Sequence, residues 1–399
     1  MFGSALHCLR HIHICGFLRV YRILLLGMTL FLLSSPGAAE INMPPTRNPM
    51  VLAYRDHLPL IRAAVEEIQR EEHLKAVLLG IRFRDQDVVT LAVGESMSGV
   101  PATTAMHFRN GAIAIAYMGS ILLQLVDQGI VGLDDPIDQW LSDLPDADRV
   151  TLRMLINSTS GYPEYVGYNR FEDAIYADVF RTWSPEELIA IAFEQPPQFN
   201  PGTNWGYAHT NFVLLGLALE RATSQSFDRL MRDQIIQPLR LRNTANPLTP
   251  AIPKSVLHAY TTERGRYEES TFWNPSWTLA RGAIMTSSLT DVLTSARAIG
   301  TGALLSPTAF KQMLAPDTAG LGPWDHQTYY GFGVVVKQGW IAQNPLFHGY
   351  AGVMAYLPER ELSIAVFSTK TEQGDPDVNS SEHLFRRITQ ILTPDHAID

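Results

Sequence analysis

The sequence predicts an α+β fold in which both ends of the chain form one antiparallel sheet and a helical lobe is inserted between them. Strand-like apolar runs occur at residues 76–83 and 88–93 and again, much later, at 330–336, 354–357 and 362–367. Residues 130–255 carry mostly helix and loop signals, with Pro and Gly as punctuation. Helical patterns at 50–73 and 380–392 flank the strand runs, so helices are expected to pack on the sheet.

The individual elements follow from apolar spacing and turn residues. The first helix, 50–73, is predicted from apolar residues at helical spacing, which are Leu58, Ile61, Ala64, Val65 and Ile68. Residues 84–87 suit a hairpin turn between the first two strands, and Gly129 suits the end of an apolar helix that starts at Gly111. We expect a single domain over 40–399, with a sheet subdomain at about 50–110 and 256–395 and a helical lobe at about 111–255.

Composition excludes several classes of protein. The 399 residues are 46% hydrophobic and 18% charged, which excludes an intrinsically disordered chain. The chain is too long for a small domain stapled by disulfides. Its net charge of −9, without a compensating basic stripe, argues against a nucleic-acid partner.

Residues 1–39 have the pattern of a secretory signal peptide. Arg10, Arg19 and Arg22 precede an apolar run at 23–33, and Gly37 and Ala39 give the small-x-small pattern of a cleavage site. The alternative is a retained membrane anchor, for which the run is short. We therefore predict an exported, periplasmic or extracellular protein with no stable membrane span after cleavage.

Removal of this segment changes the chemistry available to the mature chain. Both cysteines, Cys8 and Cys15, lie in it, so disulfides, thiolate nucleophiles and zinc–thiolate sites are not expected afterwards. The mature chain keeps 28 Lys and Arg against 40 Asp and Glu, a net charge of −12. No metal-ligand spacing is present, and we expect neither a metal nor another cofactor.

Several motifs occur in a fixed order. They are residues 106–111 (MHFRNG), 123–129 (LQLVDQG), 133–136 (LDDP), 151–155 (TLRML), 158–163 (STSGYP), 200–207 (NPGTNWGY), 211–216 (NFVLLG) and 300–314, which includes LLSP at 304–307. In this order and spacing the chain resembles the beta-lactamase-related serine hydrolases, which include class C beta-lactamases, DD-peptidases and similar esterases. The resemblance covers about residues 50–392 and implies a beta-lactamase/transpeptidase-like fold.

The resemblance implies a serine nucleophile at the start of a buried helix and a lysine three residues later, one turn away on the same face. Alignment from residues 108–109 and 123–126 places Ala112 at the serine position and Ile115 at the lysine position. Ser120 is two turns further along an apolar helix and is expected in the core. The covalent mechanism of the family is therefore not expected, and Ile115 should make the cleft floor apolar.

The other two parts of the family site are altered as well. Tyr207 fits the tyrosine of the family's Tyr-x-Asn loop, but His209 takes the asparagine position. Residues 347–350 (FHGY) stand where the family has His-x-Gly-Gly, with Tyr350 at the position of the strand glycine. Tyr350 should therefore partly fill the space beside the strand or stack on a ligand, next to His348 and Gly349. Lys370 resembles the start of a strand Lys-Thr-Gly, but Glu372 replaces the glycine, and a solvated loop is expected there.

Three hypotheses for function follow. The first is an exported pseudoenzyme whose degenerate cleft, with Tyr207, His209, His348, Gly349 and Tyr350, binds a peptide, a cell-wall fragment or a protein partner. Six aromatic residues could give stacking surface or simply pack in the core: Trp205, Trp273, Trp277, Tyr329, Tyr330 and Tyr350. The second is a hydrolase with a relocated site that contains His209 and His348, although the sequence identifies no carboxylate partner for either. The third is a structural subunit with a filled cleft.

Overall fold

The computed structural model describes residues 39–399, so the predicted export segment lies outside the described residues except for Ala39. The strands are β1 Glu40–Asn42, β2 Leu74–Phe83, β3 Gln86–Met97, β4 Val100–Pro101, β5 His107–Arg109, β6 Tyr260–Thr261, β7 Glu268–Glu269, β8 Thr286–Ser288, β9 Thr328–Tyr330, β10 Val335–Lys337, β11 Trp340–Gln343, β12 Leu346–Phe347, β13 Tyr350–Leu357 and β14 Leu362–Lys370. The α-helices are α1 Pro49–Arg55, α2 Leu58–Glu71, α3 Ile113–Asp127, α4 Asp138–Leu141, α5 Leu152–Ile156, α6 Asn169–Ala177, α7 Pro185–Ala192, α8 His209–Thr223, α9 Phe227–Met231, α10 Gln237–Leu239, α11 Leu289–Gly300, α12 Pro307–Met313 and α13 Ser380–Leu392.

The main sheet joins the two ends of the described chain. Its strand order is β1-β3-β2-β14-β13-β11-β10-β9, with β4 beside β3 and β12 beside β13, and every pair is antiparallel. The central pairing is β2 with β14, where Phe83 lies opposite Leu362. The structure therefore confirms the predicted α+β fold with an antiparallel sheet built from both chain ends.

The sheet is buried on both faces, which explains why its central strands read as continuous apolar runs. Along β2, Leu78 packs into the core that contains α3, whereas Val77 and Leu79 pack into a second core with α2 and α13. Gly80 permits a close approach of α11, because a Cβ there would lie 2.7 Å from Leu293 Cδ1. The candidate site lies on the side of the sheet that packs against α3.

The first predicted helix is two helices. α1 ends at Arg55 and α2 begins at Leu58, with Pro59 in its first turn. Proline lacks the N–H that would continue a helix from the preceding turn, so one unbroken helix over 50–73 was wrong. The last helix was predicted at its observed bounds, and the Asn379 side chain caps it by accepting from the Glu382 N–H.

α3 is the buried helix that starts at the candidate site. Gly111 has φ +52° immediately before it, and Ala112 is the N-cap residue. Ser120 is buried and donates to the Ala116 carbonyl oxygen within the helix, as expected for a core residue. Among the helices of residues 39–399, none combines the length and apolar composition that a membrane crossing needs.

Lys370 does not lie in a solvated loop. It is the last residue of β14, only 2% exposed, and its ammonium group donates to the backbone oxygens of Asp375 and Val378. Burial lowers the pKa of Lys370. The chain folds back over this side chain, which the residue pattern alone did not indicate.

Candidate functional site

A cavity of about 320 Å³ opens where α3 begins, and six of its sixteen lining residues are Trp, Tyr or Phe. We call it the aromatic cavity. Its lining residues are Gly111, Ala112, Trp205, Tyr207, His209, Trp277, Thr278, Leu279, Ile284, Trp324, Tyr330, Val335, Gln343, Asn344, Leu346 and Phe347. None of these lining residues, all within the described chain, is Asp, Glu, Lys or Arg. His209 is the one imidazole among these lining residues, and its ring nitrogens can donate or accept a hydrogen bond.

The two positions aligned with the family's serine and lysine occupy different surroundings. Ala112 lines the aromatic cavity at the head of α3, so the predicted nucleophile position does lie in the cleft. Ile115 is 1% exposed and packs in the core, and it is not among the lining residues. The expectation that Ile115 forms the floor was therefore wrong, because its side chain is enclosed one turn into the helix.

His209 has a carboxylate partner that the sequence did not reveal. It is the first residue of α8, and its Nδ1 lies 2.8 Å from Glu164 Oε2, which also accepts from the His209 backbone N–H at 2.8 Å. Since a carboxylate only accepts, Nδ1 carries a proton, and in the neutral imidazole Nε2 then presents a lone pair. Within residues 39–399, Nε2 has no hydrogen-bond partner. Glu164 directly follows the loop at 158–163, but nothing in the sequence links it to a histidine 45 residues later.

Tyr207 lines the cavity next to His209, and the two rings are perpendicular with centroids 5.1 Å apart. Burial raises the pKa of Tyr207 well above its ordinary value, and the nearby Tyr330 and Glu164 add to this. The hydroxyl therefore keeps its proton. It can donate a hydrogen bond to a ligand, but it is a poor general base.

His348 does not reach the aromatic cavity. Its Nδ1 lies 2.8 Å from Glu263 Oε2, and its Nε2 accepts from Trp277 Nε1 at 3.0 Å. Burial alone would raise the pKa of Glu263, but the hydrogen bond from His348, helped by Thr261 and Tyr176, holds this pKa below its usual range. His348 is not a lining residue, and it instead fixes Trp277, which is one.

Gly349 and Tyr350 also lie outside the lining. His348 and Gly349, with φ +42° and +83°, form the turn between β12 and β13, and a Cβ at Gly349 would lie 2.2 Å from the Tyr260 carbonyl oxygen. Tyr350 is 2% exposed and donates to the Leu257 carbonyl oxygen at 2.6 Å. The prediction that Tyr350 partly fills the space beside the strand or stacks on a ligand was wrong, because its ring packs in the core.

The start of β13 is hydrogen-bonded on both edges. On one side Tyr350 pairs with Thr369 of β14, and on the other it pairs with Phe347 of β12. Further along, the Gly352 N–H donates to the Pro345 carbonyl oxygen at 2.8 Å. Pro345 in turn lies against Gly111, since a Cβ built on Gly111 would be 2.6 Å from Pro345 Cβ. The segment 345–347 therefore covers the strand edge beside the head of α3.

Half of the six aromatic candidates line the cavity. Trp205, Trp277 and Tyr330 do so, whereas Trp273, Tyr329 and Tyr350 do not. The sequence missed Trp324, whose ring centroid lies 4.9 Å from that of Trp205 in an edge-to-face arrangement, and Phe347, which stacks on Trp277 at 5.8 Å. Trp324 stands in no periodic pattern or family motif, and Phe347 stands in the motif at 347–350 without being marked there as a stacking residue.

Comparison with known proteins identifies the family. The family model described as "Beta-lactamase" matches residues 61–385. The chain belongs to the beta-lactamase family. The recognition of this serine hydrolase family from its motifs is thereby confirmed.

Relatives within the beta-lactamase family cover parts of the chain. The chain is 31% identical over 149 residues to penicillin-binding protein 4* of Bacillus subtilis (strain 168), which covers 36% of this chain and 31% of that relative. It is 29% identical over 195 residues to penicillin-binding protein 4 of Amycolatopsis lactamdurans, covering 45% and 46%. It is 26% identical over 307 residues to esterase EstB of Burkholderia gladioli, covering 68% and 77%. The match thus spans less than half of each of these penicillin-binding proteins.

Solved structures share the fold over most of the described chain. A D-stereospecific amidohydrolase from Streptomyces sp. superposes with a TM-score of 0.72 at 25% identity, covering 86% of this chain and 98% of that one. The octameric penicillin-binding protein homologue from Pyrococcus abyssi gives a TM-score of 0.68 at 20% identity, covering 84% and 77%. The second likeness bears on the fold alone.

Proposed function

We propose that this chain is an exported, catalytically inactive member of the beta-lactamase family that uses the aromatic cavity to bind a ligand. The observation that carries the proposal is the methyl group of Ala112, which lies in the cavity at the head of α3 where the family has its nucleophile. A methyl group cannot attack a carbonyl carbon. The ligand classes are a peptide, a cell-wall fragment or a protein partner.

The neighbouring groups do not replace the missing nucleophile. Ile115 is enclosed in the core, so no amine stands at the lysine position to take up a proton. Tyr207 is held in its protonated form by burial. Loss of a serine nucleophile alone lowers turnover by on the order of 10⁶-fold in a serine hydrolase, and here its activating groups are changed too.

The cavity itself favours binding. Its volume of about 320 Å³ is near the lower end of the range of about 300–1,000 Å³ that small-molecule sites occupy. Aromatic side chains in the lining provide stacking faces. The Trp277 side chain is held in place by its hydrogen bond to His348, which in turn contacts Glu263. The relatives named penicillin-binding proteins are consistent with a ligand related to the cell wall.

One observation favours a second function, non-covalent hydrolysis. Glu164 orients His209, and in the neutral imidazole Nε2 carries a free lone pair, which is the arrangement of a general base. In such a reaction Nε2 takes a proton from water while the water oxygen bonds to the carbonyl carbon. The bond from that carbon to the leaving group then breaks, and the leaving group takes the proton from Nε2. His348 takes no part, because both of its ring nitrogens are already bonded.

One experiment separates these functions. The protein is incubated with a fluorescent penicillin, a fluorophosphonate and p-nitrophenyl acyl esters, with intact mass and absorbance as readouts. The parent is expected to form no adduct and to give no turnover. Ala112→Ser is expected to stay unlabelled, because segment 345–347 covers the strand edge and Ile115 supplies no amine.

The outcomes are distinct. Turnover in the parent that is lost in His209→Ala and kept in Ala112→Gly would establish the second function. A covalent adduct on the parent would refute the first, and the modified residue would identify the nucleophile.

A further inference from the structure

We propose that the aromatic cavity binds a compact, uncharged carboxamide with an aromatic body and excludes extended peptides. This inference rests on the proposed function and narrows its ligand. It combines three observations: the covered edge of β13, the hydrogen-bonding pattern at His209 and Tyr207, and the absence of Asp, Glu, Lys and Arg among the described lining residues.

An extended peptide binds a sheet by adding a strand to a free edge. At Tyr350 and Gly352 this edge is taken by the chain's own segment 345–347, and the opposite edge is paired with β14. A peptide would have to displace β12 before its backbone could be hydrogen-bonded there. The cavity is therefore accessible to a compact group rather than to a strand.

The polar atoms around the cavity are complementary to a ligand that has both a hydrogen-bond donor and an acceptor. In the neutral imidazole His209 Nε2 accepts, because the contact with Glu164 places the ring proton on Nδ1. The Tyr207 hydroxyl donates. Ala112 lines the cavity as the N-cap residue of α3, and its backbone N–H donates no backbone hydrogen bond within residues 39–399. A primary carboxamide offers N–H groups to Nε2 and a carbonyl oxygen to these donors.

Charged ligands of the same size fit less well. A carboxylate would meet the donors but would face the lone pair of His209 Nε2 with no lysine or arginine in the lining to offset its desolvation. An ammonium group would satisfy Nε2 but would leave the Tyr207 and Ala112 donors unpaired at the positive end of the α3 dipole. The uncharged amide satisfies both sides.

The aromatic and aliphatic side chains that line the cavity favour an aromatic group on the ligand. Trp205, Trp277 and Phe347 line one continuous cavity with Tyr330 and Trp324, and Ile284 and Val335 add aliphatic surface. Burial of a flat apolar group against such faces provides stacking as well as hydrophobic stabilisation.

The test compares three ligands of matched size and one peptide against the full chain. The ligands are phenylacetamide, phenylacetate and 2-phenylethylammonium, and the peptide is a blocked alanine tetrapeptide. Tryptophan fluorescence and ligand-observed NMR give the dissociation constants. We expect phenylacetamide to bind about tenfold more tightly than either ion, which corresponds to one well-made hydrogen bond. We expect no binding of the tetrapeptide.

Two variants locate the site. His209→Phe keeps a ring but removes the acceptor, and it is expected to weaken phenylacetamide binding about tenfold. His258→Phe is the matched control, because His258 also pairs with a glutamate, Glu269, but is not a lining residue of the cavity. This control is expected to leave binding unchanged.

Every other pattern overturns the inference. The ligand class would be refuted by tighter binding of either ion, by binding of the tetrapeptide or by an equal loss of binding in both variants. It would also be refuted if phenylacetamide did not bind at about 10 mM, which is near the weakest affinity of interest. None of these results would contradict the proposal of a non-acylating protein. A covalent adduct on the parent would instead refute the proposed function.

Discussion

Two histidine–glutamate pairs flank the same tryptophan, yet they do different things. In His209–Glu164 and in His348–Glu263 the ring Nδ1 lies 2.8 Å from a carboxylate oxygen. The His209 ring also contacts Trp277, with centroids 5.8 Å apart, and His348 bonds to the Trp277 N–H. The geometry of the two carboxylate contacts is thus nearly the same.

The second ring nitrogen makes the difference. His348 uses its Nε2 to accept from Trp277, so the whole imidazole is committed to holding the wall. His209 has no described partner for its Nε2 and lines the cavity. A histidine at a family site position therefore becomes a ligand group only when one nitrogen stays available, and this depends on neighbours far away in sequence.

The largest expected effect is on folding. His348→Ala would leave the largely enclosed Glu263 carboxylate, 16% exposed, without its main partner and Trp277 without its acceptor. We expect the free energy of unfolding to fall by about 3 kcal/mol. His209→Ala, at the edge of the cavity, is expected to cost about 1 kcal/mol. Urea unfolding of both variants measures the contrast, and equal losses would show that His348 has no special structural role.

A smaller effect concerns acid stability. The pKa of Glu263 lies below its usual value in the folded protein, so between that value and the unfolded pKa of about 4.3 the unfolded chain binds more protons. The contribution of ionised Glu263 to the free energy of unfolding is therefore fully present above about pH 4.3. It is lost as the pH falls through the lower pKa of the folded protein.

Glu263→Gln removes this titration. We expect its free energy of unfolding to be lower than that of the parent at pH 6 and to fall less steeply between about pH 5 and pH 3, around the ordinary glutamate pKa. Urea midpoints over this range test the slope. Parallel curves for parent and variant would contradict the pKa shift of Glu263.

The fold was predictable because its signals are local and repeated. Periodicity gave α3 and α13, the hairpin of β2 and β3 followed from two apolar runs with turn residues between them, and apolar runs gave parts of β13 and β14. The break between α1 and α2 was missed, although Pro59 marks it, because the apolar spacing continues across the break. The two-residue strand β12 is too short for any period, so the covered edge of β13 could not be seen in the sequence.

The site was predictable only where a residue stands in a motif. Ala112, Tyr207 and His209 were placed by motif order, and all three line the cavity. Glu164 was missed because a carboxylate partner is chosen by the fold, and no spacing rule joins it to His209. His348 was misplaced for the same reason, since Glu263 and Trp277 turn it away from the cavity.

The smallest expected effect tests the charge behind His209. In Glu164→Gln one side-chain oxygen can still accept both bonds from His209, so Nε2 stays an acceptor and phenylacetamide binding should hardly change. Removal of the negative charge should help phenylacetate, so we expect the preference for the amide over the acid to narrow by about threefold. Glu269→Gln, at the His258 pair, serves as the control and should leave the preference unchanged. A wider preference for the amide in Glu164→Gln would contradict this expectation. It would mean that Glu164 in the parent stabilises a second proton, on His209 Nε2, and that the resulting positive charge attracts phenylacetate.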